Sequence, residues 1–335
     1  MPKAEAAATG GALPSLSKGE TRILTLSEAD VRACIDPLRL LDALAAGFRA
    51  LVLGRVVTPA RPQLDIPQAG YSLAMPAWTV GMNLTVKIVN VFEGNIGKGI
   101  PSHLATIHLF DPASGLPVCI MDGTYITAVR TSGSAVLSVR ELARRNARVA
   151  TVVGAGVQAD QHLGLLPLVR DFAEIRVVSK RFEDAEALAA RHPGVAPVAE
   201  LEAAVRSSDV VCLATHSYEP VIDAGWVRPG THVSSVGVAP PGGELPVALV
   251  HGATLYVETR DAFEPTPVGS CELAGLDPDT GITLGDMLLA RRPGRVSADQ
   301  ITVYKAMGTA MEDMVAADLA YRHARRSGRG TMITL

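Results

Sequence analysis

The 335-residue chain is poor in several of the features that usually announce a function. Its four cysteines, Cys34, Cys119, Cys212 and Cys271, lie far apart in mostly apolar surroundings. That spacing offers no short metal-binding pair and no disulfide framework, so they read as reduced thiols of a cytoplasmic protein, with no metal expected. Neither sign of charge dominates, since 31 basic against 34 acidic residues leave a net charge of −3. Nothing in this balance steers the chain toward nucleic acid or an anionic membrane, and a small-molecule partner is expected. No apolar run reaches the roughly 18 residues that a membrane span needs. Residues 1–20 are rich in Ala, Gly and Ser and lack the basic start and apolar segment of a signal peptide, so they read as a flexible tail. Local signatures of Ser-His-Asp or Cys-His hydrolysis are also missing.

What the chain does have is apolar content, 48% of its residues, enough for well-filled cores in two domains. Ser27 precedes one acidic, apolar-patterned segment, and Asp36-Pro37 opens a second in which Leu38, Leu41, Ala45, Phe48 and Val52 recur at helical spacing up to Gly54. Strand patterns follow at Leu84 to Phe92, His103 to Phe110 and Leu116 to Met121, the last two flanking the turn Asp111 to Gly115. Residues 21–123 therefore read as a strand-rich α+β substrate-binding domain.

From residue 124 a helical stretch leads into alternating strands and helices. Arg148 to Val153, Ile175 to Ser179, Asp209 to Ala214, His232 to Val236 and Thr254 to Val257 read as short buried strands. The order indicates an α/β fold, a Rossmann-type doubly wound parallel sheet spanning residues 124–302. A final helix within residues 303–328 is expected to pack back on the first domain.

Gly154-Ala155-Gly156-Val157-Gln158-Ala159 directly follows the apolar strand Val149 to Val153 and opens a helix-compatible segment. In that setting Gly154 permits a tight turn, Gly156 admits a pyrophosphate to the backbone, and Ala159 lets helix and strand pack closely. The helix N-terminus then offers N–H groups and a positive dipole end to phosphates. An ordinary glycine-rich turn is the plainer reading. At the end of the next strand, an NAD-preferring site places Asp or Glu, whereas this chain has Ser179-Lys180-Arg181. A hydroxyl and two cations attract a 2′-phosphate, so NADP(H) is preferred and NAD(H) remains compatible, unless the segment is simply a solvated basic turn.

Three cations suit a carboxylate-bearing substrate. Lys87 sits mid-strand in Thr85-Val86-Lys87-Ile88-Val89, where an ammonium is costly unless paired or facing a cleft. Arg61 follows the rigid Thr58-Pro59-Ala60, and Arg130 lies in Ile126-Thr127-Ala128-Val129-Arg130-Thr131. Snorkelling from an edge strand and structural ion pairs are their plainer readings. His103 and His108, five residues apart, fall on opposite faces of one strand, which excludes a shared metal but leaves His103 able to touch substrate.

Taken together these segments resemble the ornithine cyclodeaminase/mu-crystallin family. The resemblance rests on Lys87-Ile88-Val89-Asn90, Gly99-Ile100-Pro101-Ser102-His103, Leu109-Phe110-Asp111 with Gly115, Met121-Asp122-Gly123, Ile126 to Thr131 and the Gly154 loop. Late in the chain Trp226 to Gly230, Lys305-Ala306-Met307-Gly308 and Glu312-Asp313 also fit. The resemblance implies a homodimer whose first domain carries both the substrate pocket and the subunit contact. It implies that Arg61, Lys87 and Arg130 hold a substrate carboxylate. Thr131, Gly154, Ala155, Gly156, Val157 and Gln158 would face the cofactor phosphates, with Thr215, Ser235, Val236 and Gly237 near the nicotinamide.

One departure matters. Cyclodeaminases and related alanine dehydrogenases carry an Asp two residues beyond the glycine matching Gly237, and this chain has Ala239 there. Alanine cannot exchange protons or hold an amine. Mu-crystallin-like ketimine reductases also lack this Asp, so the sequence reads as an NAD(P)H-dependent reductase of a small cyclic imino acid, or the reverse amino acid dehydrogenase. A cyclodeaminase-type lyase with recycled NAD and a non-enzymatic NADPH-dependent binding protein are the alternatives.

Overall fold

A computed structural model describes residues 21–266 and 268–335; the N-terminal segment expected to be a flexible tail lies outside them. The first domain begins with β1 (Arg22–Leu26), α1 (Glu28–Cys34) and α2 (Pro37–Val52). Ser27 and Asp30 form a reciprocal capping box at α1, and Asp36 accepts the Arg39 N–H to cap α2 ahead of Pro37. Then come β2 (Val56–Val57), β3 (Gln63–Ile66), β4 (Gly70–Thr79), β5 (Leu84–Val91), β6 (His103–Phe110), β7 (Pro117–Asp122) and the long helix α3 (Thr124–Leu142). On β5, Thr85, Lys87, Val89 and Val91 are buried while Leu84, Val86, Ile88 and Asn90 are more open. This is the period-two alternation of a sheet with one covered face.

The second domain follows as β8 (Val149–Val153), α4 (Val157–Leu165), β9 (Glu174–Val178), α5 (Phe182–Ala189), β10 (Val195–Pro197), α6 (Leu201–Arg206), β11 (Val210–Leu213), β12 (His232–Ser235), α7 (Val247–Gly252), β13 (Thr254–Val257), β14 (Ile282–Thr283), α8 (Leu284–Leu288) and β15 (Thr302–Lys305). These strands form a parallel sheet in the order β10-β9-β8-β11-β12-β15-β13-β14. Chain direction across the sheet reverses between β8 and β11, the switch point where an open α/β sheet forms its crevice.

The chain ends with α9 (Ala310–Ser327) and β16 (Thr331–Thr334). The former lies against α2, α3, β4 and β5, and Met311, Met314 and Val315 join Leu40, Leu41, Leu44 and Phe48 in the core of the first domain. A Cβ on Gly47 would overlap the Met311 sulfur, so the Met311 side chain of α9 packs directly on the α2 backbone. Two details differ from the sequence reading. Thr302–Lys305 is not the start of the last helix but a strand between β12 and β13, and the helix begins only at Ala310. Beyond it, β16 pairs antiparallel with β1 and closes the edge of the first sheet, whose order is β16-β1-β7-β6-β5-β4-β2 with β3 on β4.

Candidate functional site

Strand register puts one row of residues across the second sheet: Val178, Val153, Leu213, Ser235, Lys305 and Val257 are successive partners. All six strands are parallel, so the residues after that row, Ser179, Gly154, Ala214, Val236, Ala306 and Glu258, line a common C-terminal edge. Gly154 has φ +118°, and a Cβ there would collide with the Ala214 carbonyl. By contrast, a Cβ on Gly156 would meet nothing within 4 Å, so this stretch of backbone is open to a close-lying group. Ala159 is buried, and no side chain caps α4, so its first-turn N–H groups are available to an anion. Gln158 is anchored by Ser132, whose hydroxyl donates to its side-chain oxygen at 2.7 Å, and the adjacent Thr131 is half-buried. The donor set fits a dinucleotide phosphate.

Ser179-Lys180-Arg181 closes β9 beside this loop, with Gly154 N–H donating to the Val178 carbonyl at 2.8 Å. Lys180 and Arg181 are exposed. Arg181 is engaged bidentately by Asp184, at 2.8 and 2.7 Å.

Thr215, Ser235, Val236 and Gly237 meet on one residue. Glu244, fully buried, accepts from Thr215 N–H (2.7 Å) and Oγ (2.6 Å), Ser235 Oγ (2.9 Å), Val236 N–H (3.1 Å) and Gly237 N–H (2.6 Å). Ala239 is buried and bridges Gly242 across the turn.

Across the crevice, Lys87 projects from the covered face of β5 and is 1% exposed. Its Nζ lies 2.6 Å from Asp313 Oδ2 in the first turn of α9. Arg130, on α3, donates through Nε to the other Asp313 oxygen at 3.0 Å and through Nη1 to Glu312 at 3.1 Å. Asp313 thus holds two of the three expected cations side by side. Arg61 reaches the same region from its loop, donating to the carbonyls of Gly308 (3.3 Å) and Val268 (3.0 Å). Gly308 N–H and Met307 N–H donate in turn to Glu258, at 2.6 and 2.9 Å, so the edge of the second sheet and the cations of the first are one buried cluster. His103 lies on the covered face of its sheet, opposite Val91, while His108 points the other way.

Burial without full compensation tunes these groups. Desolvation lowers the Lys87 ammonium to about 8, against the opposing pull of Asp313. Desolvation, and then the neighbouring Glu258 carboxylate, raise Glu312 to about 8. Burial works against charge on Arg130 as well, but Asp313, Glu312 and Glu258 outweigh it and hold the guanidinium charged. His103 is lowered by the surrounding protein and by His216, with Lys87 acting in the same direction. Glu258, Glu312 and Asp313 were the partners that sequence reading did not assign. Glu312 and Asp313 were marked only as part of the family resemblance, with no role, and Glu258 only as one acid directly after an apolar strand.

A glycine loop at the switch point of a parallel sheet, linked through Glu258 and Gly308 to the buried cations of a second, mixed sheet, defines a protein of the dinucleotide-binding class. The chain belongs to the ornithine cyclodeaminase/mu-crystallin family, which it matches over residues 20–328. It is 34% identical over 285 residues to ketimine reductase mu-crystallin of Mus musculus, covering 84% of this chain and 90% of that one. The structure of Thermococcus litoralis Δ1-pyrroline-2-carboxylate reductase with NADH and L-proline superposes with a TM-score of 0.87 at 30% identity, covering 92% and 99% of the two chains. An archaeal alanine dehydrogenase dimer with bound NAD gives 0.86 at 29% identity, covering 93% and 99%.

Proposed function

We propose that this protein is an NAD(P)H-dependent reductase of a small imino acid, also able to run in reverse as an amino acid dehydrogenase. The observation that carries this reading is the convergence of Lys87, Arg130 and Arg61 opposite the Gly154 crevice, in a family whose named members include a ketimine reductase and a pyrroline-2-carboxylate reductase. A reduced nicotinamide bound at the crevice would supply the hydride.

The chain's own residues do the rest. Arg61 and Arg130 bind the substrate carboxylate and fix the imine carbon toward the crevice, where orientation alone lowers the barrier substantially. Asp313 keeps Lys87 and Arg130 in register, so neither has to reorganise when substrate enters. Lys87, with a pKa near 8, carries a proton at neutral pH that it orients or delivers toward the substrate nitrogen. His103 borders the substrate from the open end of the same sheet face. Buried Ala239 contributes no exchangeable proton, which favours net reduction over a cyclodeaminase cycle.

The exposed Ser179-Lys180-Arg181 turn beside the phosphate loop supports a preference for NADP(H), through attraction of a 2′-phosphate. A homodimer is supported by the open face of the first sheet, where Leu64, Ile66, Leu84 and Leu104 are exposed together, and by the dimer of the archaeal relative. No described helix is long and apolar enough to cross a membrane, and the four unbridged cysteines suit a reducing cytoplasm. The test is an NADPH-oxidation screen over cyclic imines, and over keto acids with ammonia or amines. Stoichiometric oxidation with a cyclic imino acid is expected. Cofactor binding without turnover on any of them would instead indicate a binding protein.

A further inference from the structure

The ends of β11 and β12 are held together by charge rather than by apolar packing. Glu244 takes five hydrogen bonds from Thr215, Ser235, Val236 and Gly237, and every partner donates, the pattern of an acceptor-only carboxylate. A second layer lies behind it. Lys305, also fully buried, donates to Ser235 Oγ at 3.1 Å and to the Gly237 carbonyl at 2.6 Å, and its Nζ pairs with Glu272 at 2.6 Å. Glu272 in turn accepts from Leu245 N–H (2.9 Å) and Ser270 Oγ (2.6 Å). Two carboxylates and one ammonium leave this buried network with one net negative charge.

That sign has a consequence at the C-terminal edge of a Rossmann sheet. The nicotinamide ring is positively charged when oxidised and neutral when reduced. With the pyrophosphate at the Gly154 loop, as proposed above, the second half of the dinucleotide would extend over the ends of β11 and β12, where a fixed buried anion would discriminate between the two states. We propose that Glu244 is a positioning residue whose buried charge, beneath the turns after β11 and β12, makes the site favour the oxidised dinucleotide over the reduced one. This inference rests on the dinucleotide reading above. It deepens that reading, because tighter binding of the oxidised form makes the bound reduced form a stronger hydride donor and biases the site toward imine reduction.

The experiment measures dissociation constants of NADP+ and NADPH by titration of the full chain, in wild type and in Glu244→Gln, Glu244→Asp and Glu272→Gln. In Glu244→Gln the ratio of the NADP+ to the NADPH constant is expected to rise about tenfold, the scale of removing one charge about 12 Å away at an effective dielectric of about 20. Glu244→Asp, which keeps the charge but loosens the bonds, weakens both forms while preserving the ratio. Glu272→Gln removes a more distant charge and raises the ratio by a smaller factor, about threefold. It also decides the matter where Glu244→Gln fails to fold. Equal weakening of both forms in Glu244→Gln, or an unmoved ratio in Glu272→Gln, overturns the proposal and leaves Glu244 a scaffold. Failure of wild type to bind either dinucleotide overturns the cofactor reading itself, an outcome distinct from an unmoved ratio.

Discussion

The two sheets bury themselves in different ways. In the second domain the central strands β11, β12 and β15 are buried at every residue, because helices cover both faces of the parallel sheet. In the first domain β5 and β6 alternate, with one face against α9 and α3 and the other open. Each arrangement frees a different part of the sheet for function. The fully covered sheet has only its strand ends to offer, and there it places the Gly154 loop, Glu244 and Glu258. The half-covered sheet offers its faces: the inner one carries the buried Lys87–Asp313 pair, and the outer one leaves Leu64, Ile66, Leu84 and Leu104 exposed. The chemistry is expected where the ends of one sheet meet the inner face of the other.

The largest expected effect comes from removing the charge on that inner face. Lys87→Ala should lower kcat/KM for imine reduction by roughly a thousandfold, the scale of a lost proton donor plus a lost charged contact, while NADPH binding persists. Steady-state kinetics beside a binding titration checks this. Next is the strand end. Gly154→Ala places a Cβ against the Ala214 carbonyl at a φ of +118°, so dinucleotide affinity should fall by about a hundredfold, with a lowered Tm.

The covered interior of the second sheet makes its own prediction. His232 is buried and pushed down to about 3, primarily by desolvation. Its unfolded form takes a proton below about 6.5, so stability is unaffected above that pH and is lost as pH falls from 6.5 toward the folded value. Between pH 7 and 5 this one group should cost roughly 2 kcal/mol, read as a falling Tm that His232→Asn flattens. On the open face, Leu104→Lys should shift the chain toward monomer in sedimentation while leaving the Tm of the monomer within a few degrees. The smallest effect concerns the turn after β9, where replacing Lys180 and Arg181 by alanine should reduce the preference for NADPH over NADH by about tenfold.

The same difference between the sheets explains what was legible in the sequence. Strands such as Val149–Val153 and Thr254–Val257 stand out because burial on both faces writes a short, mostly apolar and β-branched run. The His103–Phe110 strand is marked by the Asp111 to Gly115 turn that it precedes, and its structural limits coincide with the sequence reading. Thr302–Lys305 was hidden because its four buried residues run almost directly into a helix, and a short apolar run carries no period of its own. Strand β16 is exposed throughout and is defined by pairing with β1, at the opposite end of the chain, so no local pattern marks it.

At the site, the glycine loop, Lys87 and Arg130 drew notice as candidates because each departs from its local context, glycines at a strand end and charges in apolar segments, and Arg61 because it follows a rigid proline loop. Their partners did not. Asp313 meets Lys87, and Glu244 meets Thr215, only through tertiary folding, and an acid on an ordinary helix or loop gives no sign that it will be buried.

The most direct test is a single-turnover measurement of NADPH oxidation with a cyclic imino acid such as piperideine- or pyrroline-2-carboxylate, in wild type and Lys87→Ala. The account predicts one equivalent of NADPH oxidised per equivalent of imine reduced by wild type, and almost none by a variant that still binds NADPH. Full oxidation by Lys87→Ala would contradict it.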